Sequence, residues 1–195
     1  AVEFDGEALR ATGADGVALE MSLAELADRT VGAGLRPGCL TATSSNTQPV
    51  SPPPFMAGIA EVDVDKATGK VTVVDYAACV DCGTVANANL ARVQAEGGIG
   101  QGIGMALFED VQYSSAGRMR TRNFMQYKIP SRMDVPDIRV DFAPSFEPTG
   151  PFGAKSIGEV VINTPAPAIA SAVAHATGNY VRTLPVTPEK ALFGE

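Results

Sequence analysis

The sequence predicts an α+β fold, in which mixed or antiparallel strands pack against a few helices. Short segments of alternating β-branched residues indicate strands, and longer segments with apolar residues at helical spacing indicate helices. These two kinds of segment do not follow the regular strand–helix–strand order of a doubly wound sheet. With 195 residues, of which 45% are apolar, the chain is long enough to bury one sizeable core.

The first elements of the chain are a strand and a short helix. Residues 1–8 have the character of the middle of a strand, so we expect an upstream part on the same or another polypeptide. Ser22 and Glu25 have the spacing of a capping box, which predicts a helix over residues 23–31. Gly32 is expected to end this helix.

A polar connector follows the helix. Residues 41–54, TATSSNTQPVSPPP, end in three prolines, which predicts an extended segment without helix. We therefore expect two parts. Residues 1–54 contain the N-terminal helix and the connector and continue from a missing upstream part, and residues 55–195 form the C-terminal domain.

Two hairpins and one further strand are predicted in the middle of the chain. Each hairpin has β-branched or aromatic residues on both sides of a short segment that contains glycine. A strand with alternating apolar residues follows them. In chain order, the predictions are strands at 59–64 and 71–74 around a turn at 66–69, strands at 111–113 and 119–124 around a turn at 114–117, and a strand at 138–142.

Residues 88–108 are compatible with a helix that carries a cluster of glycines. One interpretation is a helix whose glycine face lets another backbone come close, and the other is a cradle for a cofactor. Composition alone leaves both open. The cluster does not fit the G-x-G-x-x-G pattern, because Ile103 occupies the sixth position counted from Gly98, so a nicotinamide cofactor is disfavoured.

Two more helices are predicted near the end of the chain. The longer one begins near Pro165, has Thr164 as its cap and ends at Gly178, with its apolar residues on one face. Residues 187–189 start one last short turn.

Composition disfavours several classes of partner. Fifteen Lys and Arg against 22 Asp and Glu give a net charge of -7, which disfavours nucleic acid and anionic membrane surfaces. The sequence has no run of about 18 apolar residues that could cross a membrane. Its opening segment lacks the basic flank and apolar block of an export signal, so we expect a cytoplasmic protein.

The sequence offers few self-contained catalytic or metal sites. Cys79 and Cys82 have the spacing of a zinc or redox pair, but a structural zinc ion needs four ligands, so we favour buried thiols. His175 is the one histidine and lies late in a predicted helix, where we expect a surface or capping role.

Residues 150–159, GPFGAKSIGE, form a different kind of segment. Glycines surround one cation, Lys155, and one carboxylate, Glu159, just upstream of a predicted helix. Several backbone N–H groups could converge there on a charged or polar ligand. By composition alone, a structural loop with a surface lysine and glutamate is the simpler interpretation.

Four separated segments resemble one protein family. They are VVDYAACVDCGTVANANLARVQAEGGIGQGIGMALFEDVQY, FMQYKIPSRMDVPDIRV, GAKSIGEVVINTPAPAIASAVAHATG and RTLPVTPEK. Together they resemble the C-terminal part of the molybdopterin-binding (large or medium) subunit in the xanthine dehydrogenase and aldehyde oxidase family of molybdenum hydroxylases. The resemblance covers the chain from about Pro52 onward. The segment EPTGPFGAKSIGE is most similar to the purine and nicotinate hydroxylase branch.

The resemblance implies a fold and a set of site residues. Residues 55–195 would be the second molybdenum-cofactor-binding domain of that family. Glu159 matches the general base that takes a proton from the Mo–OH group, and Gln101 matches a glutamine beside the cofactor. No residue of the chain is expected to ligate the metal. The positions expected to contact the cofactor are Gly100, Gln101, Gly102, Lys155, Ser156, Ile157 and Gly158.

The resemblance also implies cofactors and partners. The cofactor is a molybdenum–pterin group, as molybdopterin or in its cytosine dinucleotide form, shared with an upstream molybdopterin-binding part. FAD and iron–sulfur clusters would lie on partner subunits, because an iron–sulfur cluster needs four cysteines and the chain has three. The chain would therefore be an incomplete catalyst alone and a component of a hetero-oligomer.

Two functions remain open at this stage. The first is hydroxylation of a purine-like or nicotinate-like heterocycle, or oxidation of an aldehyde, with water as the oxygen source. The alternative is a noncatalytic assembly or structural module that has kept only the fold. The presence of Glu159 and Gln101 favours the enzyme, because a relic would be free to lose both.

Overall fold

The computed structural model describes residues 2–32, 43–45, 47 and 50–194. The chain divides into two compact units, residues 1–47 and residues 48–195. Part of the predicted connector lies outside the described residues, and its described positions belong to no helix or strand. The predicted division of the chain after residue 54 stays a prediction.

The N-terminal unit contains a three-stranded antiparallel sheet. Its strands are β1 (Val2–Phe4), β2 (Ala8–Thr12) and β3 (Ala18–Ser22), which pair in that order. β1 falls within the predicted first strand, whereas β2 and β3 are absent from the sequence-based prediction. A turn signal could have revealed them, because Asp15 and Gly16 connect the two strands and Gly16 has a φ of 80°.

The predicted capping box is confirmed. The Ser22 hydroxyl accepts a hydrogen bond from the Glu25 N–H, and the Ser22 N–H donates to the Glu25 carboxylate, both at 3.1 Å. The helix that follows, α1, covers Leu23–Ala27 and continues as a π-helical segment, Asp28–Gly32. The α-helix is shorter than predicted, and the rest of the predicted helical range adopts the π-helical form.

A mixed three-stranded sheet forms the base of the C-terminal unit. β4 (Phe55–Val64) and β5 (Val71–Asp81) are antiparallel, which confirms the first predicted hairpin and its turn at Gly69, where φ is 76°. β6 (Ile138–Phe142) pairs parallel to β5 on its other side. The chain passes between these two strands through a long helix, α2 (Ala88–Leu107). The prediction of an α+β fold with mixed strands is confirmed.

Three further helices follow the sheet. They are α3 (Val160–Asn163), α4 (Pro165–Thr177) and α5 (Pro188–Phe193). α4 ends as predicted at Gly178, which has the left-handed conformation with a φ of 81°. α5 begins after Thr187, whose side chain accepts a hydrogen bond from a backbone N–H in the first turn.

Thr164 occupies the predicted N-cap position of α4, but its side chain makes no cap hydrogen bond to the helix. The Thr164 hydroxyl lies 2.9 Å from the Tyr76 hydroxyl and shares a hydrogen bond with it. This pair ties the junction between α3 and α4 to the middle of β5.

The second predicted hairpin is reduced to one isolated bridge between Tyr113 and Met119. Two main-chain hydrogen bonds flank this bridge, from the Ser114 N–H to the Arg118 carbonyl and from the Arg120 N–H to the Gln112 carbonyl. The Gln112 N–H donates to the Thr121 hydroxyl at 3.1 Å, so the ladder does not extend further. Phe124, expected at the end of this hairpin, is 77% exposed.

The core of the C-terminal unit brings together residues of β5, α2, α3 and α4. Each such side chain contributes roughly 1.5–3 kcal/mol by its burial. The largest fully buried side chains include Tyr76, Val80, Ile99, Ile103, Val161, Ile169 and Val173. This core fixes the positions of the segments that leave β5 and enter α3. Within the part of the chain that the structure describes, no helix combines the length and the apolar character needed to span a bilayer.

Candidate active site

Two glycines of α2 are required by helix packing. A Cβ atom on Gly98 would overlap the side chain of Val161 in α3. A Cβ atom on Gly102 would lie 2.7 Å from Cγ of Pro165 and 3.2 Å from the carbonyl oxygen of Ile162. The interpretation of a glycine face that admits another backbone is confirmed at these two positions.

Other glycines in the same region have free space beside them. A Cβ atom on Gly97, Gly100 or Gly158 would meet no atom of the described residues within 4 Å, chain neighbours aside. Inside a helix, glycine is about 1 kcal/mol less favourable than alanine. Packing within the described chain therefore does not explain Gly97 and Gly100, which expose a backbone surface that a ligand can approach closely.

The loop at residues 150–159 is docked on the end of β5 by main-chain hydrogen bonds. The Thr84 N–H donates to the Gly153 carbonyl at 2.8 Å. The Lys155 N–H donates to the Cys82 carbonyl at 2.7 Å. The loop is thus attached to the central strand of the core sheet.

The side chain of Lys155 pairs with Asp81 at the end of β5. Its Nζ lies 2.7 Å from the Asp81 carboxylate, and the lysine side chain is only 8% exposed. The ammonium also lies 5.2 Å from the centroid of the Phe55 ring. Asp81 accepts further hydrogen bonds from the Ser145 hydroxyl and the Gly83 N–H. These donors, Lys155 foremost, lower the pKa of Asp81 to about 2.

Glu159 is exposed and stands immediately before α3. The preceding residue is attached to α2, because Gln94 Nε2 donates to the Gly158 carbonyl at 3.1 Å. Gln101 is also exposed and lies roughly 10 Å further along the same face of α2, two helical turns from Gln94. Gly97 lies between the two glutamines on this face. Gln94, which bonds Gly158, and Gln101 thus share one face of α2 with the open glycine Gly97 between them.

The other predicted cofactor contacts differ in exposure. Ser156 and Gly158 are exposed, Ile157 and Gly100 are half-buried, and Gly102 is buried. The cofactor contacts predicted for these residues, for Gln101 and for Lys155 stay predictions, as does the catalytic role of Glu159.

A cavity of about 430 Å³ lies next to the Lys155–Gly158 segment. Its lining includes Cys82, Leu90, Gln94 and Ile157 and is mainly apolar. The cavity therefore joins the segment after β5, the first turns of α2 and the loop before α3.

The two cysteines and the histidine considered in the sequence differ in their exposure. Cys82 is buried and Cys79 is exposed. The prediction of a buried thiol is confirmed for Cys82 and wrong for Cys79, because residues three apart on a strand point to opposite faces. Burial raises the pKa of the Cys82 thiol, which disfavours a nucleophilic role. His175 is exposed in the last turn of α4, as predicted.

Two residues in this region, Asp81 and Gln94, are absent from the sequence-based prediction. A signal existed for Gln94, because its spacing of seven residues from Gln101 places both on one helical face. Asp81 has no local signal, since its partner Lys155 follows 74 positions later.

Comparisons with known proteins agree on one family. A family model described as a molybdopterin cofactor-binding domain matches residues 1–136, a range that contains Gln101 and ends before Glu159. The probable hypoxanthine oxidase XdhD of Escherichia coli (strain K12) is 38% identical over 175 residues, 89% of this chain and 18% of that protein. The putative xanthine dehydrogenase molybdenum-binding subunit XdhA of the same organism is 39% identical over 171 residues, 87% of this chain and 23% of that protein.

Solved structures show the same relationship. Quinoline 2-oxidoreductase from Pseudomonas putida 86 is similar over 66% of this chain and 17% of its own, with a TM-score of 0.63 and 36% identity. The aldehyde oxidoreductase from Desulfovibrio desulfuricans is similar over 70% of this chain and 15% of its own, with a TM-score of 0.64 and 35% identity. This chain spans less than a quarter of the length of these relatives.

Proposed function

Because this chain belongs to the molybdopterin cofactor-binding domains of the xanthine dehydrogenase and aldehyde oxidase family, we propose that it completes the molybdenum–pterin site of an oxidoreductase. An upstream molybdopterin-binding part would supply the rest of the site. The proposed reaction is the hydroxylation of a purine-like or nicotinate-like heterocycle, or the oxidation of an aldehyde, with water as the oxygen source.

The open glycine backbone beside Gln101 is the observation that carries this proposal. Gly97 and Gly100 lie in the middle of α2, where the described chain leaves free space beside them. A flat pterin can approach such a backbone to van der Waals contact. The Gln101 amide is exposed next to it and can both donate and accept hydrogen bonds, as the edge of a pterin requires. The residues present therefore fit the cofactor.

The roles proposed for the side chains follow from their chemistry. When bound, the molybdenum–pterin group supplies the redox chemistry and accepts the electrons of the substrate. Gln101 holds and orients the cofactor, with Gly100 and the segment from Lys155 to Gly158 against it, whereas the buried Gly102 packs on Pro165. The Glu159 carboxylate accepts a proton from the water that provides the oxygen. Its exposure in this chain leaves it accessible to a group held in part by another domain.

We further propose that the cofactor is shared with partner chains in a hetero-oligomer. Support comes from a relative that is named as a molybdenum-binding subunit and from the small share of each relative that this chain covers. FAD and iron–sulfur clusters would lie on separate subunits and remove the electrons. The cofactor would be molybdopterin itself or its cytosine dinucleotide form.

The substitution Glu159→Gln in the assembled enzyme tests the proposal. We expect kcat to fall by about 10²- to 10⁴-fold, the usual contribution of a general base. Molybdenum content should be unchanged, because the amide keeps the size of the side chain and the cofactor contacts of its neighbours. Co-expression with the neighbouring subunits, followed by metal quantification and steady-state kinetics, provides both measurements.

Glu61→Gln is a matched control, since Glu61 is an exposed glutamate on β4. It should leave both molybdenum content and kcat unchanged. Undiminished turnover of Glu159→Gln would remove Glu159 from its proposed role. An assembly that contains the chain but binds no molybdenum would favour the noncatalytic module.

A further inference from the structure

An ion pair between a buried lysine side chain and a partly exposed aspartate fixes the upstream end of the segment Ser156–Gly158, which leads to Glu159. The Lys155 side chain is 8% exposed, and its ammonium lies 2.7 Å from the Asp81 carboxylate. A buried cation is costly unless it is paired, so this contact defines where the lysine can lie. The ring of Phe55 provides a second favourable contact for the same ammonium.

Asp81 is held in place by more than its lysine partner. The Ser145 hydroxyl and the Gly83 N–H also donate to its carboxylate. Asp81 is the last residue of β5, the central strand of the sheet, and the neighbouring Val80 is fully buried. The upstream anchor is thus connected directly to the rigid core.

A hydrogen bond from α2 fixes the downstream end of the same segment. Gln94 Nε2 lies 3.1 Å from the Gly158 carbonyl. Two residues beyond Glu159, Val161 occupies the space that the missing side chain of Gly98 leaves on α2. The three residues from Ser156 to Gly158 are therefore suspended between β5 and α2.

We propose that Asp81 and Gln94 are positioning residues of the active site. Asp81 acts through the ammonium of Lys155, and Gln94 acts through the carbonyl of Gly158. Together they set the location of the Glu159 carboxylate relative to the face of α2 that carries Gln101. The catalytic part of this inference rests on the proposed function. The anchoring itself can be measured without turnover.

Amide hydrogen exchange in the assembled enzyme tests the anchoring. In Asp81→Asn, we expect exchange over residues 155–162, where the Lys155 and Ile162 amides are hydrogen-bonded, to become about tenfold faster, because a charge-assisted hydrogen bond is lost. In Gln94→Met, which keeps the length of the side chain, a smaller increase is expected in the same peptide. Asp141→Asn is the matched control, because Asp141 is an exposed aspartate on β6, and it should match the wild type.

Kinetics normalised to bound molybdenum test the positioning role. We expect both variants to lower kcat with KM unchanged, and we expect Asp81→Glu to restore part of the loss. Folding defects alone would lower the amount of active enzyme but not kcat per molybdenum. If Asp81→Asn does not fold because it leaves Lys155 without a counter-charge, the double variant Asp81→Asn/Lys155→Met removes both charges and takes its place.

The outcomes separate this inference from the proposed function. Wild-type exchange and kcat in Asp81→Asn and Gln94→Met, together with an inactive Glu159→Gln, would overturn the positioning role and leave the proposed function standing. Full turnover in Glu159→Gln would overturn the proposed function. Faster exchange over residues 155–162 would then still support the two anchors.

Discussion

At the scale of single residues, the glycines of α2 fall into two groups: some are packed against other helices, and others have free space beside them. Gly98 and Gly102 stand where α3 and the start of α4 approach the helix. Gly97 and Gly100 have free space beside them. The first pair is explained by the packing of the chain itself, and in our proposal the second pair is explained by the cofactor.

Alanine substitutions at Gly97 and Gly98 should distinguish the packing contact from the proposed cofactor contact. Gly98→Ala is expected to lower the free energy of unfolding by roughly 1–3 kcal/mol, because the new methyl group would overlap Val161. Gly97→Ala should raise it by about 0.5–1 kcal/mol, because alanine is the better helix former. In the assembled enzyme, Gly97→Ala should also retain less molybdenum after dialysis. Urea unfolding of both variants provides the comparison, and equal stabilities would contradict the packing assignment.

Asp81 should make stability depend on pH in the acid range. Its pKa is about 2 in the folded chain, below its ordinary value of 3.8, chiefly because the Lys155 ammonium donates to it. A carboxyl with a lowered folded pKa contributes stability that is complete above its unfolded pKa and is lost as pH falls through its folded pKa.

We therefore expect the free energy of unfolding to decrease more steeply between about pH 5 and about pH 2 in the wild type than in Asp81→Asn. Denaturant unfolding at a series of pH values measures both slopes. Asp141→Asn should follow the wild type. Parallel curves for the wild type and Asp81→Asn would show that this carboxylate does not carry the acid sensitivity.

The candidate site could be predicted only in part from the sequence. Gln101 and Glu159 stand in continuous motifs, so their chemistry is visible in the sequence itself. The contacts that anchor the segment before Glu159 are not local. Lys155 pairs with Asp81 across 74 positions, and Gln94 bonds Gly158 across 64. Contacts at such separation depend on how the strands and helices close around the core.

At the scale of elements, the same distinction between local and distant signals explains which predictions succeeded. The first hairpin has its own alternating residues and turn, and α5 has its own capping residue, so both were predictable from neighbouring residues. The second hairpin formed only around its predicted turn, because beyond the Tyr113–Met119 bridge the Gln112 N–H bonds the Thr121 hydroxyl. Thr164 resembled a cap, but its hydroxyl bonds Tyr76 on β5, a partner that local sequence does not reveal.

The junction of β4, β5 and α4 allows a test at this scale. Tyr76 and Thr164 share a hydrogen bond of 2.9 Å. A Cβ atom on Gly58 would overlap the Tyr76 hydroxyl and lie 2.8 Å from the Thr164 hydroxyl. Gly58→Ala should therefore destabilise the wild type by roughly 1–3 kcal/mol.

The cost of Gly58→Ala should be smaller in a Tyr76→Phe background, because the overlapping hydroxyl is gone. A double-mutant cycle of unfolding free energies measures this coupling. Tyr76→Phe alone should cost about 1 kcal/mol for the lost hydrogen bond. Additive effects of the two substitutions would show that the hydroxyl and the glycine do not share this space.

At the scale of the whole molecule, the exposed apolar side chains predict that the chain associates with a partner. Isolated apolar residues on a surface are common, but several large ones here are almost fully exposed. The most exposed are Phe124 at 77%, Phe193 at 81%, Met125 at 84%, Met133 at 91% and Phe152 at 94%. The matched segment makes up only 18% of XdhD and 23% of XdhA, so each relative has room for a partner domain outside it.

We expect the isolated chain to self-associate or to bind the remaining part of the molybdenum subunit, because burial of these side chains is favourable. Light scattering over a range of concentrations measures self-association, and calorimetric titration with the co-expressed remainder measures binding. The double variant Met125→Lys/Met133→Lys should weaken both. Thr72→Lys adds a charge at an exposed position that is already polar and should change neither. A strictly monomeric chain without affinity for the remainder would mean that these side chains are compatible with water and that the site is completed through another surface.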